Sequence, residues 1–203
     1  DMVVLNVAFL SIIGMLARVG QVTVAAHGIG LRIQSLSFVP GLGVSQATGA
    51  MVGSALGASN VLQAREVVRS GMILCTSIMS AIGIGIIVGA PAVLTVFGVD
   101  PATELGRYSL LWMRILGWGM PIVGVQIALM GMFRGSGATQ TSLVINLIAT
   151  LGFQVPLSYL LGFVVGWGAF GIWIALPASY AVRMFLSLWA YRHGGWARPG
   201  ASI

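Results

Sequence analysis

Between Arg69 and Asp100 the chain runs through residues 70–99 without one charged side chain, which is longer than the roughly 20 apolar residues a helix needs to cross a bilayer. Few folds accept such a segment. In lipid a backbone must satisfy its own hydrogen bonds, and a helix does so within the segment. In water the same segment would need a core that covers it on every side. Charge decides between the two, because Asp, Glu, Lys and Arg make up only 7% of the 203 residues, against roughly 25% in ordinary soluble domains. That is too little to clothe a water-facing surface, so the chain is read as a membrane protein.

Walking the sequence for further apolar runs gives six spans, near 2–20, 27–57, 68–97, 105–133, 138–162 and 165–191. The fold class expected is therefore all-α, a polytopic transmembrane helix bundle, with residues 1–192 forming the bundle and 193–203 a tail. Runs near 30 residues exceed the hydrocarbon thickness, so tilt or extension into the headgroups is expected. Pro40, Pro121, Pro156 and Pro177 each fall inside a predicted helix, where a proline removes a donor and crowds the preceding turn. The opening "DMVVLNVAFLSII" lacks the basic start and the small-residue cleavage site of a signal peptide and reads as cut from something longer.

All ten basic residues are arginines, against four acids, for a formal charge of +6. On a soluble chain that excess would suggest nucleic acid, whereas beside apolar spans it reports orientation. With six alternating spans, Arg65, Arg69, Arg134, Arg192 and Arg198 gather on one face and Arg18 and Arg107 on the other. The arginine-rich face is expected to be cytoplasmic, with both termini on it, in an inner (plasma) membrane. No nucleic-acid partner is expected.

Catalysis and metal binding find little support. No span carries an embedded carboxylate, and His27 and His193 are expected on opposite membrane faces. Catalytic residues, metal ligands and cofactors are therefore none, and the chain is not expected to be an enzyme. What the spans do hold is uncharged polar groups: Asn6, Gln34, Ser35, Gln46, Thr48, Gln126, Asn146, Gln154 and Tyr180. Such groups either bond helix to helix or line a wet path. Arg114, several residues inside the fourth span, costs roughly 2.5–3.5 kcal/mol if centred, so it must snorkel, bind carbonyls or meet an acid from elsewhere. Arg183 is expected to snorkel to the nearer surface, and His27 to sit at the interface as a cap, with a proton-sensing role as the alternative. Gly49, Gly53 and Gly57 recur every four residues and mark a helix packing face. In "FRGSGATQTS" a tight turn is expected, with Gly135 and Gly137 permitting the reversal and Thr139 or Thr141 capping the next helix.

Taken together, "VAAHGIGLRIQSLSFVPGLGVSQATGAMVGSALGA", the "AREVVRSG" segment, "WMRI" and "GMFRGSGATQTSLVIN" resemble, in order and spacing, the C-terminal half of the multidrug and toxic compound extrusion (MATE) transporters. The resemblance implies one lobe of a twelve-helix fold, its six spans corresponding to helices seven to twelve. It implies a secondary antiporter that exports organic cations or other amphiphiles by alternating access. The partners implied are the missing N-terminal six-helix lobe, the lipid bilayer, the solutes, and a proton or sodium ion. Sodium-coupled members often use carboxylates in helices seven and ten, and the matching spans here have none embedded, so proton coupling through an acid in the other lobe is expected. Gln34, Gln46, Gln126, Asn146, Gln154 and Tyr180 are the expected lining or support of a substrate cavity. Two other readings stay open: a lipid-linked oligosaccharide flippase of the same superfamily, and a non-transporting membrane scaffold.

Overall fold

The computed structural model describes residues 2–197, and among them every regular element is helical. Six long helices follow one another: α1 (Met2–Val19), α2 (Gln21–Gly57), α3 (Val61–Val96), α4 (Glu104–Gly135), α5 (Thr139–Val164) and α6 (Gly168–His193), with a short 3-10 turn at Gly195–Ala197. The four helices from α3 to α6 are long and apolar enough to cross a membrane. Helix α1 is shorter, with 18 residues, and α2 falls below that hydropathy because it carries Arg32, Gln34, four serines and Gln46 among its apolar positions.

Two helices begin earlier than the apolar runs suggest. Helix α2 starts at Gln21, which places His27 in its second turn and not at its entrance. Helix α3 starts at Val61, where the Asn60 side chain accepts the Gln63 N–H at 3.0 Å and caps the first turn. Arg65 and Arg69 therefore lie on a helix, and the expected loop over 58–67 shrinks to a sharp turn through Ser59, at φ 58°. The reason is general: apolar patterning marks the hydrocarbon, while a capped helix continues beyond it. At about 1.5 Å per residue, the 36 residues of α3 far exceed a hydrocarbon core of roughly 30 Å.

All four expected prolines lie within helical segments, as does Pro91 in α3. Around Pro156 the geometry departs from a plain α-helix. Residues Ile148–Gln154 and Leu160–Val164 of α5 are wound as π-helix. Pro156 lacks the N–H that would bond the Gly152 carbonyl, which supplies a cause for the wider turns beside it.

Helix α4 is the hub. It packs against α3, α2 and α6, and it reaches α2 so closely that side chains are excluded between them. A Cβ on Gly49 would stand 2.8 Å from the Gly131 carbonyl oxygen, and one on Gly131 or Gly135 would collide with the carbonyl of Ser45 or Gly49. The small-residue face predicted from Gly49 and Gly53 is thus real, while Gly57 has nothing within 4 Å and takes no part in it. Gly135 belongs to this contact as well, so the reversal after α4 falls to Gly137 at φ 77°. Neither Thr139 nor Thr141 caps α5, whose N-cap is Ala138 with no side-chain bond. The core between α1, α2, α3, α4 and α6 is filled by Leu16, Met79, Trp112, Met113, Met120 and Trp173.

At the far end of α6 the chain turns back at Gly194, and Trp196 buries itself against Tyr191, donating its Nε1–H to the Tyr191 carbonyl at 2.9 Å. Trp196 thereby joins the protein interior. Arg198 and the end of the tail lie outside the described residues.

Candidate functional site

Helix α6 carries a polar stripe at four-residue spacing, Ser179, Arg183 and Ser187, and all three are buried. Residues four apart lie on one face of a helix, so the stripe faces one neighbour, and that neighbour is α5. The first π-helical segment of α5 presents Thr150 and Gln154 to it. The Arg183 guanidinium donates to the Thr150 hydroxyl, and the same Nη2 lies 3.4 Å from Gln154 Oε1. Ser179 donates to that Oε1 at 2.9 Å.

The network continues across the bundle through Tyr180. Its ring packs under the Arg183 guanidinium, 5.3 Å from centroid to Cζ, and its hydroxyl accepts from Gln34 Nε2 of α2 at 3.1 Å. Two atoms in this region have no hydrogen-bond partner: Gln34 Oε1 and Arg183 Nε. Among the described residues no carboxylate pairs with Arg183, which is 6% exposed and lies near the middle of α6. The expected snorkelling is therefore corrected. The side chain turns inward because α5 supplies two oxygen acceptors and α6 an aromatic face, and these offset part of the cost of burying a charge.

Of the six residues expected around a cavity, three meet here: Gln34, Gln154 and Tyr180. Asn146 is buried on α5, eight residues before Gln154. Gln126 is buried on α4 and donates to the Met130 sulfur at 3.0 Å, so it belongs to another contact. Gln46 is exposed on α2, beside a shallow cavity of about 340 Å³ lined with Ser45, Gly131 and Arg134. Next to the network itself the free space is only a crevice of about 10 Å³ between α4 and α6, walled by Trp112, Gly119, Pro177 and Tyr180. The six are therefore not brought to one open chamber in this conformation.

Reading the sequence alone missed Arg183, Thr150 and Ser179 as members. The serine–arginine–serine repeat on α6 was the available signal. It also misplaced His27, which is buried, with its Nδ1 accepting the Trp112 Nε1–H at 2.6 Å. An interfacial cap would have been exposed. Cys75 is likewise a core residue, packed beside the Gly41 carbonyl. Arg114 is exposed, and no cluster of metal-ligating side chains occurs among the described residues.

The fold and this centre define a multi-pass helical membrane protein with a buried polar network around an arginine that no carboxylate pairs among the described residues. Residues 1–160 match the MatE family model. The probable multidrug resistance protein NorM of Thermotoga maritima is 27% identical over 195 residues, spanning 96% of this chain and 42% of that protein. Its counterpart in Deinococcus radiodurans is 31% identical over 171 residues, 81% of this chain and 37% of that protein. A crystal structure of a MATE protein in the bent conformation superimposes with a TM-score of 0.89 at 22% identity, covering all of this chain and 44% of that one. An inward-facing MATE transporter of the MOP superfamily gives 0.85 at 22% identity over 98% of this chain and 46% of that one. The chain belongs to the MatE family, and it spans about two fifths of the length of these relatives.

Proposed function

We propose that the chain is the C-terminal lobe of a secondary multidrug efflux transporter, working by alternating access against an N-terminal six-helix lobe. The observation that carries this reading is membership of the family over a segment that spans about two fifths of relatives named as multidrug resistance proteins. The solutes are organic cations or amphiphiles. Residues 1–192 make the lobe and 193–203 its tail. Both termini are cytoplasmic, a reading supported by the exposed Arg65, Arg69, Arg134 and Arg192 at one end of the bundle.

Export is coupled to proton rather than sodium re-entry. Helix α1 has no acid among its described residues, and the only one in α4 is the exposed Glu104 of its first turn. At the centre stands Arg183, whose fixed positive charge disfavours a second cation nearby. The coupling carboxylate is therefore assigned to the other lobe. Gln34, Gln154 and Tyr180 line the path when the lobes rearrange, Gln46 stands at its cytoplasmic mouth, and Gln126 and Asn146 support the walls.

The test is efflux of a fluorescent organic cation from membrane vesicles, under an imposed pH gradient and then a sodium gradient, with this chain alone and with the full-length parent. Efflux by the parent alone, driven by the pH gradient, is the expected result. Sodium-driven efflux would refute the coupling assignment, and no efflux from either would favour a lipid-linked oligosaccharide flippase or a scaffold.

A further inference from the structure

An open groove lies away from the Arg183 network, along the first third of α4. It has a volume of about 750 Å³ and is lined by Glu104, Arg107, Tyr108, Leu110, Leu111 and Arg114. Arg107 and Arg114 are both exposed, and among the described residues neither side chain makes a hydrogen bond or ion pair. Seven residues apart, they lie on one face of the helix and about 10.5 Å apart along its axis.

Their surroundings change in a definite order along α4. Glu104 and Arg107 stand in the first turn, at the membrane surface. Arg114 lies about 15 Å along the axis from Glu104. Four residues further on, the same face presents Trp118, 76% exposed. Helical side chains lean toward the helix N-terminus, which here is the membrane surface. Both arginines are therefore directed toward that surface, one above the other, with Leu111 between them on the groove wall.

The rest of α4 is occupied. Trp112 meets His27 of α2, and Gly117 and Met120 meet Gly83 of α3. Trp112, Gly119 and Val123 share a crevice with Trp173 and Tyr180 of α6. The arginine stripe is the side that remains. An apolar helix packed there would set hydrocarbon against an unpaired Arg114. A water-soluble solute would leave Trp118 uncovered. A phospholipid satisfies both ends, with its phosphate between the arginines and its acyl chain along Leu110, Leu111 and Trp118.

We propose that this groove is a binding site for an anionic phospholipid headgroup, held by Arg107 and Arg114. The phosphate accepts charge-assisted bonds from the two guanidiniums, and the net negative charge of the lipid answers the positive charge that two arginines leave over the single carboxylate Glu104. The site makes the lobe sensitive to the lipid composition of the leaflet in which α4 begins.

The test is native mass spectrometry of the full-length transporter in detergent, titrated with phosphatidylglycerol or with phosphatidylcholine of the same chains. Retention of phosphatidylglycerol in clear preference is expected. Arg107→Gln and Arg114→Gln should each weaken that preference by about fivefold. Arg32→Gln, which removes an exposed arginine at a similar depth of α2, should leave it unchanged. Equal retention of the two lipids, no effect of either groove variant, or an equal loss in Arg32→Gln would overturn the site. So would displacement of the lipid by millimolar inorganic phosphate, which would mark a free-anion site. If a variant fails to fold, the melting temperature of the unaltered protein decides: it should rise with phosphatidylglycerol and not with phosphatidylcholine, and an equal rise would refute the proposal.

Discussion

Replacing Gly131 with alanine should loosen the protein, although the same substitution in an open helix strengthens it. At Gly131 a Cβ would fall on the Ser45 carbonyl group, inside contact distance of its oxygen and 2.9 Å from its carbon. Carbon atoms prefer roughly 3.5–4.0 Å, so α2 and α4 would have to part by on the order of 1 Å. The obstacle is backbone, which has no rotamer to move aside. Overpacking against immovable backbone falls in the upper part of the usual range, about 2–3 kcal/mol, and alanine returns about 0.8–1.0 kcal/mol of helix propensity. The net effect is a loss of about 1–2 kcal/mol. Gly43, on the same helix as Ser45, has nothing within 4 Å of its notional Cβ. Gly43→Ala should therefore gain up to about 1 kcal/mol. Thermal melting in detergent reads both, with Gly131→Ala lowering the midpoint by roughly 2–8 °C for a chain of this size. A Gly131→Ala protein as stable as Gly43→Ala would refute the close approach of α2 and α4.

Trp112→Phe keeps an aromatic ring but removes the N–H that His27 Nδ1 accepts and part of the indole volume, and the orphaned buried nitrogen alone should cost about 1–3 kcal/mol in the same melt; an unchanged midpoint would count against the bond. Arg183→Met should be tolerated within about 1 kcal/mol, because it removes a buried charge while filling its volume and Gln154 keeps Ser179 as a donor. Arg183→Ala, which also empties the site, should lose about 2–4 kcal/mol. Equal melting of the two variants would show that the volume of the side chain plays no part. Ser59→Gly should raise stability by about 1 kcal/mol by relieving a left-handed backbone at φ 58°, and a fall in the midpoint would contradict that.

The six helices were legible because lipid imposes one demand on every crossing segment, and long apolar runs state it openly. The turn at Gly137 and the packing at Gly49 were legible for a similar reason: each is a local solution that few residues allow. The ends of α2 and α3 were not, since beyond the hydrocarbon a helix is held by caps such as Asn60 and no longer by apolarity. The network was half legible. Gln34, Gln154 and Tyr180 stood out as polar residues in apolar runs, but Arg183 was assigned to the surface because its partners, Thr150 and Gln154, are 33 and 29 residues away. Whether a buried arginine snorkels depends on what the neighbouring helix offers. That choice is made in three dimensions, as is the pairing of His27 with Trp112 across 85 residues.

The short connection between α5 and α6, Val165 to Trp167, bears on how this lobe is made. A ribosome delivers Thr150 and Gln154 before Arg183, and the three-residue turn leaves α6 nowhere to settle except beside α5. An arginine offered alone to the translocon would weigh against release into lipid. Here it arrives as the second limb of a hairpin whose first limb already displays its acceptors. Helices α5 and α6 should therefore leave the insertion machinery as a pair, and a longer linker between them would put the insertion of α6 at risk before any transport is measured.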